Sequence, residues 1–527
     1  MTNRAKRTPP AGAWLSRAAA LFLFSASTCS SPATTGGEAR ASAASGERAP
    51  AVAGQFYPGE SAKLEGAVKS FLADAVPVRA EPPIALVLPH ASYVFSGQIA
   101  ADGWRQAQGR SYDLIVILGT NHTTPGFYGA SVFTGGAFRT PLGSARVDTK
   151  AARRLLLAGG GFLDDPRVHE REHSIEVHVP FAQIALPGVP ILPIVVSSED
   201  PSVCIRLGRA LAGVLANRRA LIVASSDLSH YPQYPGALVS DHAVLAAMTR
   251  LAPVGLAETA DTELRAGLPG LETCACGEGA IMVAMEAAKA LGAKRGVVLS
   301  SANSGDTAVG DRARVVGYGA VEFTAGEAGA DTAALARPPE PPESAMLEPA
   351  EEKRLLALAR RTLERWFATS TVPFTRASSS ASGRRQGAFV TLYAHGELRG
   401  CVGHMAEDLP LAQTVQAMAL AAAFEDSRFT PLAESELKDL EIEISALTPL
   451  ERVSGPEAVQ IGRDGVEIRK DGRAAVFLPQ VAVEQGWDRN ALMTNLCLKA
   501  GLPPDAWKSG AEFFTFRAIH FRESQFR

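Results

Sequence analysis

Three histidines stand just beyond short apolar runs. His90 closes IALVLPH (residues 84–90), His122 follows LIVILGTN (114–121), and His230 closes LIVASSDLSH (221–230). Each run has the composition of a buried strand. In open α/β sheets ligands sit outside the carboxyl ends of the strands, so three imidazoles carried to that edge would converge. Neutral imidazole is the commonest metal ligand, and metal binding is the chemistry expected of such a cluster. Taken singly, each histidine reads more simply as a solvated loop residue; the repetition is what points to a site.

Two further stretches add reactive side chains. Residues 169–181 read HEREHSIEVHVPF, whose first five letters match the HExxH zinc-protease pattern. That pattern needs a sustained helix, whereas residues 174–180 alternate apolar and polar and stop at Pro180, so no long helix is expected. His173, Glu176 and His178 remain as a dense group of ligand-type or acid/base residues. The plainer alternative is a charged turn with Glu170, Arg171 and Glu172 facing water. In TCACGEG (273–279), Cys274 and Cys276 precede a helical stretch, a position that lowers a thiol pKa. A thiolate beside imidazoles favours copper, iron or zinc over magnesium or calcium; a buried structural cysteine is the alternative.

The elements that must position these residues alternate. Strands are expected at 84–88, 114–118, 191–196, 221–224 and 296–300, with amphipathic helices at 61–75, 202–216 and 279–291 among them. Such alternation predicts an α/β domain over residues 51–323 with a largely parallel sheet covered on both faces. Residues 324–349, including ARPPEPPES, are too rich in proline for helix or sheet and read as a semi-rigid linker. A second, smaller α+β domain is expected over 350–527. Its helices fall at 351–370, 411–424 and 489–500, and its strands at 388–393, 442–447 and 474–478.

At 527 residues and 46% hydrophobic, the chain has length for on the order of two to four domains. A net charge of -3 argues against a nucleic-acid-binding surface. The six cysteines are scattered and form no disulfide framework. Arg4, Lys6, Arg7 and Arg17 precede the short apolar run AAALFLFSA (18–26) and then Cys29. This is the build of a secretory signal over residues 1–29, with Cys29 as a lipid-attachment candidate and residues 30–50 as a flexible tether. It predicts an exported, periplasmic or membrane-anchored protein, with a cytoplasmic protein carrying a chance apolar run as the alternative.

PHASY (89–93), GTNH (119–122), EHSIEVHVPF (172–181), SSDLSH (225–230) and CGEG (276–279) occur in the order seen in the Memo family, and residues 51–323 resemble it. The resemblance implies a fold similar to class III extradiol dioxygenases. It also implies an iron or copper pocket formed by His90, His122 and Cys276, with His230 nearby. His173, Glu176, His178, His230 and Asp227 are then the acid/base candidates. Ser92 stands where the family usually has glycine, Thr120-Asn121 replaces Pro-Ser, and Arg171 interrupts the usual acidic run.

LRGCVG (398–403), DSRF (426–429), FLPQVAVEQGW (477–487) and CLKAGLPPDAW (497–507) resemble the AMMECR domain. Gly400 and Gly403 would let the backbone turn around Cys401, and Arg399 could lower its thiol pKa; a buried cysteine with Arg399 paired internally is the alternative. Together the two domains resemble components B and A of the AmmeMemoRadiSam system, whose third component is a radical-SAM protein and hence an expected partner. The function so implied is a metal-binding protein with redox or dioxygenase-like chemistry, Cys401 being a second reactive centre. A non-catalytic metal- or peptide-binding module, or a scaffold, is the alternative.

Overall fold

The computed structural model describes residues 46–337, 339, 341 and 347–526. The expected leader, Cys29 and most of the tether lie outside the described residues. Among the described residues no helix is long and apolar enough to cross a membrane. The chain divides into two compact units: the first runs to Arg337 and also takes in Arg365–Phe374, and the second comprises Pro338–Glu364 and Thr375–Arg527.

In the first unit, Ala85–Leu88, Ala220–Ser225, Leu114–Thr120 and Ile191–Val196 lie side by side in that order as a parallel core, buried at every position. Strands buried on both faces need cover on both sides, and side-chain alternation distributes it. Leu114, Val116 and Leu118 pack into one core with helices Pro201–Leu215, Tyr234–Met248 and Glu278–Ala290. Ile115 and Ile117 pack into the other with Ser61–Ala73, Tyr93–Ala107 and Val179–Ala185.

The sheet has nine strands, and its margins depart from the expected parallel pattern. Gly317–Thr324 inserts antiparallel between Ala85–Leu88 and Arg295–Asn303. Its sequence, GYGAVEFT, mixes glycine, a carboxylate and apolar residues and so hides from a search for apolar runs. Both ends of the unit also lie beyond the expected limits. Glu47–Arg48 already pairs with Ala137–Thr140, and Gly329–Asp331 adds a strand beside Arg295–Asn303 within the stretch expected to be linker.

Residues 167–185 form three short helices, Arg167–Glu170, His173–Glu176 and Val179–Ala185. The zinc-protease match thus has no sustained helix. Pro180, expected to end structure, instead sits in the first turn of a helix, where its missing N–H costs no hydrogen bond.

The second unit is α+β. One antiparallel sheet runs Glu397–His404, Ala388–Ala394, Leu440–Leu447, Ala518–Arg522; another runs Glu451–Val453, Glu512–Phe516, Gly465–Lys470, Arg473–Phe477. LRGCVG lies in a strand and not in a turn. Its glycines serve close approach: a methyl group at Gly400 would collide with the carbonyl oxygen of Ala422, and one at Gly403 with the Phe389 ring.

Candidate metal centre

Three loops at the carboxyl edge of the parallel core bring His90, His122 and Cys276 together, with each residue's ligand atom within 4.8 Å of the others'. His90, 2% exposed, follows Leu88 by two residues. Asp227 Oδ1 pins its loop by accepting the backbone N–H groups of His90 at 2.8 Å and Ala91 at 3.2 Å. His122 follows Thr120 by two residues. Gly119 allows this path, because a methyl group there would stand 2.5 Å from Ser174 Oγ.

The hydrogen bonds determine which ring nitrogen of each histidine is free. Trp104 Nε1 can only donate, so His178 Nδ1 accepts from it at 3.3 Å and His178 Nε2 carries the proton. That proton goes to Ser225 Oγ at 3.1 Å. The single hydroxyl proton of Ser225 goes to the Ser174 carbonyl at 2.7 Å, so its oxygen is left to accept from His90 Nδ1–H at 2.8 Å. His90 Nε2 therefore carries the lone pair, and it lies 3.1 Å from Cys276 Sγ.

Glu172 does the same for His122. Its Oε1 accepts from His122 Nδ1 at 2.9 Å and from Ser174 N at 2.8 Å, and its Oε2 accepts from the His122 backbone N–H at 2.7 Å. His122 Nε2 is the nitrogen left free. Burial would raise the Glu172 carboxyl, but the hydrogen bonds and charges of His122 and the nearby His173 bring it down to about 2. A carboxylate behind a ligating histidine orients the ring and raises its basicity.

His173 joins the group: its ring packs 4.6 Å from that of His122 and 5.4 Å from that of His90, with Phe56 behind it at 4.8 Å. Burial, then the neighbouring His122, pushes its pKa down to about 4, and burial holds His90 well below the ordinary histidine range. Both are neutral near pH 7, the form that binds metal. The Cys276 thiol is raised by burial and by Asp227, which outweighs the lowering expected ahead of the helix Glu278–Ala290. Two nitrogens and a sulfur form a donor set for a borderline or soft transition ion. Metal bonds of about 2.0–2.3 Å set donors roughly 3.5 Å apart, and His90 Nε2 and Cys276 Sγ, at 3.1 Å, are close to that spacing.

Residues 48–322, just over half of the chain, match the family model of Memo-like protein. The chain belongs to the Memo family. Residues 356–521 match the AMMECR1 model. The Memo domain is similar to a MEMO1 family protein of Ignicoccus hospitalis, 35% identical over 289 residues, or 52% of this chain and 98% of that protein. One from Aeropyrum pernix is 37% identical over 287 residues, 52% and 98% of the two chains. A crystal structure of an uncharacterized Pyrococcus horikoshii protein aligns at 33% identity with a TM-score of 0.29, covering 33% of this chain and 91% of its own.

Several expected site residues of the Memo domain stand elsewhere. Glu176 is fully buried, ion-paired to Arg48, and accepts from Ala51 N at 2.8 Å, Val52 N at 3.0 Å and Tyr57 Oη at 2.6 Å. A carboxylate so engaged anchors the start of the domain and is not an acid/base group. His178 lies in the core, where burial pushes it down to about 3; it reaches His90 through Ser225 and by its charge. Asp227 is committed to the His90 loop. His230 donates from Nδ1 to the Leu228 carbonyl at 2.9 Å and packs on Tyr231; it makes no ring contact with the other three imidazoles, though its charge acts on His90 and Asp227. Cys274 is buried beside Ser240, as a structural cysteine. Glu172, which only the plainer alternative placed, in water, is 1% exposed and is the main residue the sequence missed, together with Ser225, Trp104 and Arg48.

In the AMMECR1 unit, Cys401 is half-buried on its strand, accepting from Thr391 Oγ1 at 3.2 Å, with its own N–H bonded to Asp426 Oδ2 at 2.9 Å. Arg399 is held by Glu436 through bonds of 2.7 and 3.0 Å. The internal pairing of Arg399 is therefore the arrangement found.

Proposed function

We propose that the Memo domain is a redox-active metal centre, holding iron or copper through His90 Nε2, His122 Nε2 and Cys276 Sγ, and that it acts on a small aromatic diol. The observation that carries this is the hydrogen-bonded locking of both imidazoles, which leaves each Nε2 lone pair free, that of His90 3.1 Å from Cys276 Sγ and His122 grouped with them. An ion of this class supplies one-electron and dioxygen chemistry when bound. Three protein donors leave room for an exogenous ligand, as catalytic sites require. His173 is placed to take a proton from a substrate hydroxyl at Nε2, its Nδ1 standing 3.5 Å from Glu172 Oε1. His230 is the second candidate: its Nδ1 is tied to the Leu228 carbonyl, and it stands close enough for its charge to act on His90.

The test is metal content by mass spectrometry of the anaerobically purified full chain beside His122→Ala and Cys276→Ser, followed by oxygen uptake with catechol. Near-stoichiometric iron or copper lost in both variants, with uptake by the wild type, is the expected result. Metal without turnover would leave a non-catalytic binding module. No metal after reconstitution would remove the proposal altogether.

A further inference from the structure

The Memo-domain sheet has a cavity at the edge opposite the metal centre. His90 lies past the carboxyl end of Ala85–Leu88, whereas Ala85, at the amino end, pairs with Phe323. Around that end, the start of Arg295–Asn303 and the finish of Gly317–Thr324 border a space of about 420 Å³. Antiparallel register sets Arg295 opposite Thr324 and Val297 opposite Glu322. Residues two apart share a face, so Arg295 and Glu322 are diagonal neighbours, about 7 Å apart at the backbone.

The charges here are incompletely matched. Glu322 Oε1 pairs with Arg79 Nε at 2.8 Å, and Asp331 Oδ2 holds Arg79 Nη2 at 3.5 Å and Arg295 Nη2 at 3.3 Å. Glu322 Oε2 and Arg295 Nε, both buried, have no hydrogen-bond partner among the described residues. Glu322 is 1% exposed. Burial pushes its carboxyl up to about 7 against the pull of Arg79, Arg110 and Arg295, Asp331 adding to the rise. Leaving a buried ionic atom unpaired is costly, and both orphaned atoms belong to residues that line the cavity.

The lining selects the ligand. Glu81, Glu322 and Glu327 set three carboxylates against the guanidiniums of Arg79 and Arg295, which disfavours a simple anion. A simple cation would satisfy Glu322 but leave Arg295 Nε unpaired. A molecule carrying one cationic donor and one anionic acceptor satisfies both, and the volume is within the range of small-molecule sites. We propose that this cavity binds a small zwitterion of the α-amino-acid type, its ammonium donating to Glu322 Oε2 and its carboxylate accepting from Arg295 Nε.

The experiment is calorimetric titration of the full chain with L-alanine, L-glutamine and L-lysine, with propylamine and propionate as the separate halves. At least one amino acid should bind saturably, and each half at least about tenfold more weakly. Glu322→Gln and Arg295→Gln should each weaken the tightest amino acid about tenfold or more while leaving metal content unchanged. Absence of saturable binding by all three amino acids would overturn the proposal. So would propylamine binding as tightly as the amino acid, or wild-type affinity in both variants. The comparison of whole zwitterion with halves uses wild-type protein and stands even if a variant fails to fold.

Discussion

Replacing Glu172 by glutamine tests the logic of the metal centre without touching a ligand. The carboxylate accepts three N–H groups: His122 Nδ1 and Ser174 N on Oε1, and His122 N on Oε2. An amide keeps one accepting oxygen and turns the other position into a donor. With its oxygen toward the ring, the new NH₂ faces the His122 backbone N–H; with the amide flipped, it faces the ring N–H. Either arrangement leaves a donor unsatisfied in a site 1% exposed, at a cost of about 1–3 kcal/mol. At 1.4 kcal/mol per decade this is roughly a 5- to 140-fold loss of metal affinity, which spans the about 10- to 100-fold found for partners behind ligating histidines. Cobalt(II) titration of the full chain, followed through its thiolate charge-transfer absorption, measures it. The band should keep its shape because Cys276 is unchanged, while the midpoint moves; circular dichroism reports the fold. Affinity within twofold of wild type in a folded protein would refute the assignment of the free nitrogens.

Ser225→Ala should weaken cobalt binding about tenfold and lower the melting temperature, because His90 Nδ1–H and His178 Nε2–H lose their acceptor in the core; an unchanged melt and affinity would contradict this. Arg48→Ala should cost about 3–5 kcal/mol in urea unfolding by leaving Glu176 buried and unpaired, and a loss below about 1 kcal/mol would show the charge to be relieved otherwise. Acid should destabilise the Memo domain early. Burial holds His169 and His178 at about 3 in the folded chain against 6.5 unfolded, so below pH 6.5 only the unfolded chain takes up protons, and stability falls until pH nears 3. Between pH 6.5 and about 4.5 the pair should account for on the order of 4 kcal/mol. The double variant His169→Gln/His178→Gln should flatten that part of the stability profile, and an unaltered slope would count against the assignment.

The apolar runs revealed most of the sheet because parallel strands buried on both faces are written as uninterrupted hydrophobic residues. His90 and His122 were legible for the same reason: each lies two residues past its strand, at Leu88 and Thr120. His230 looked equivalent but lies five residues past Ser225, and those extra residues carry it out of ring contact with the other three imidazoles. The dense group around His173 was misleading in another way. Adjacent charged residues on short helices reach different partners: His173 packs on His122, Glu176 pairs with Arg48, and His178 bonds Trp104. Glu172 was hidden because a charged run normally faces water, and only the three N–H groups that converge on it from His122 and Ser174 reverse that expectation.

The latch between Arg48 and Glu176 bears on how this chain can be taken apart. A fragment begun at Ala51, where the apolar pattern suggests a boundary, would discard the guanidinium that neutralises a carboxylate on the same short helix as His173. Such a fragment would put the unpaired charge on the helix that carries a wall of the imidazole cluster, and its failure to hold metal would say nothing about the intact protein. The edge of this domain is thus defined by charge balance, and cloning limits set by hydrophobicity alone would cut through its support.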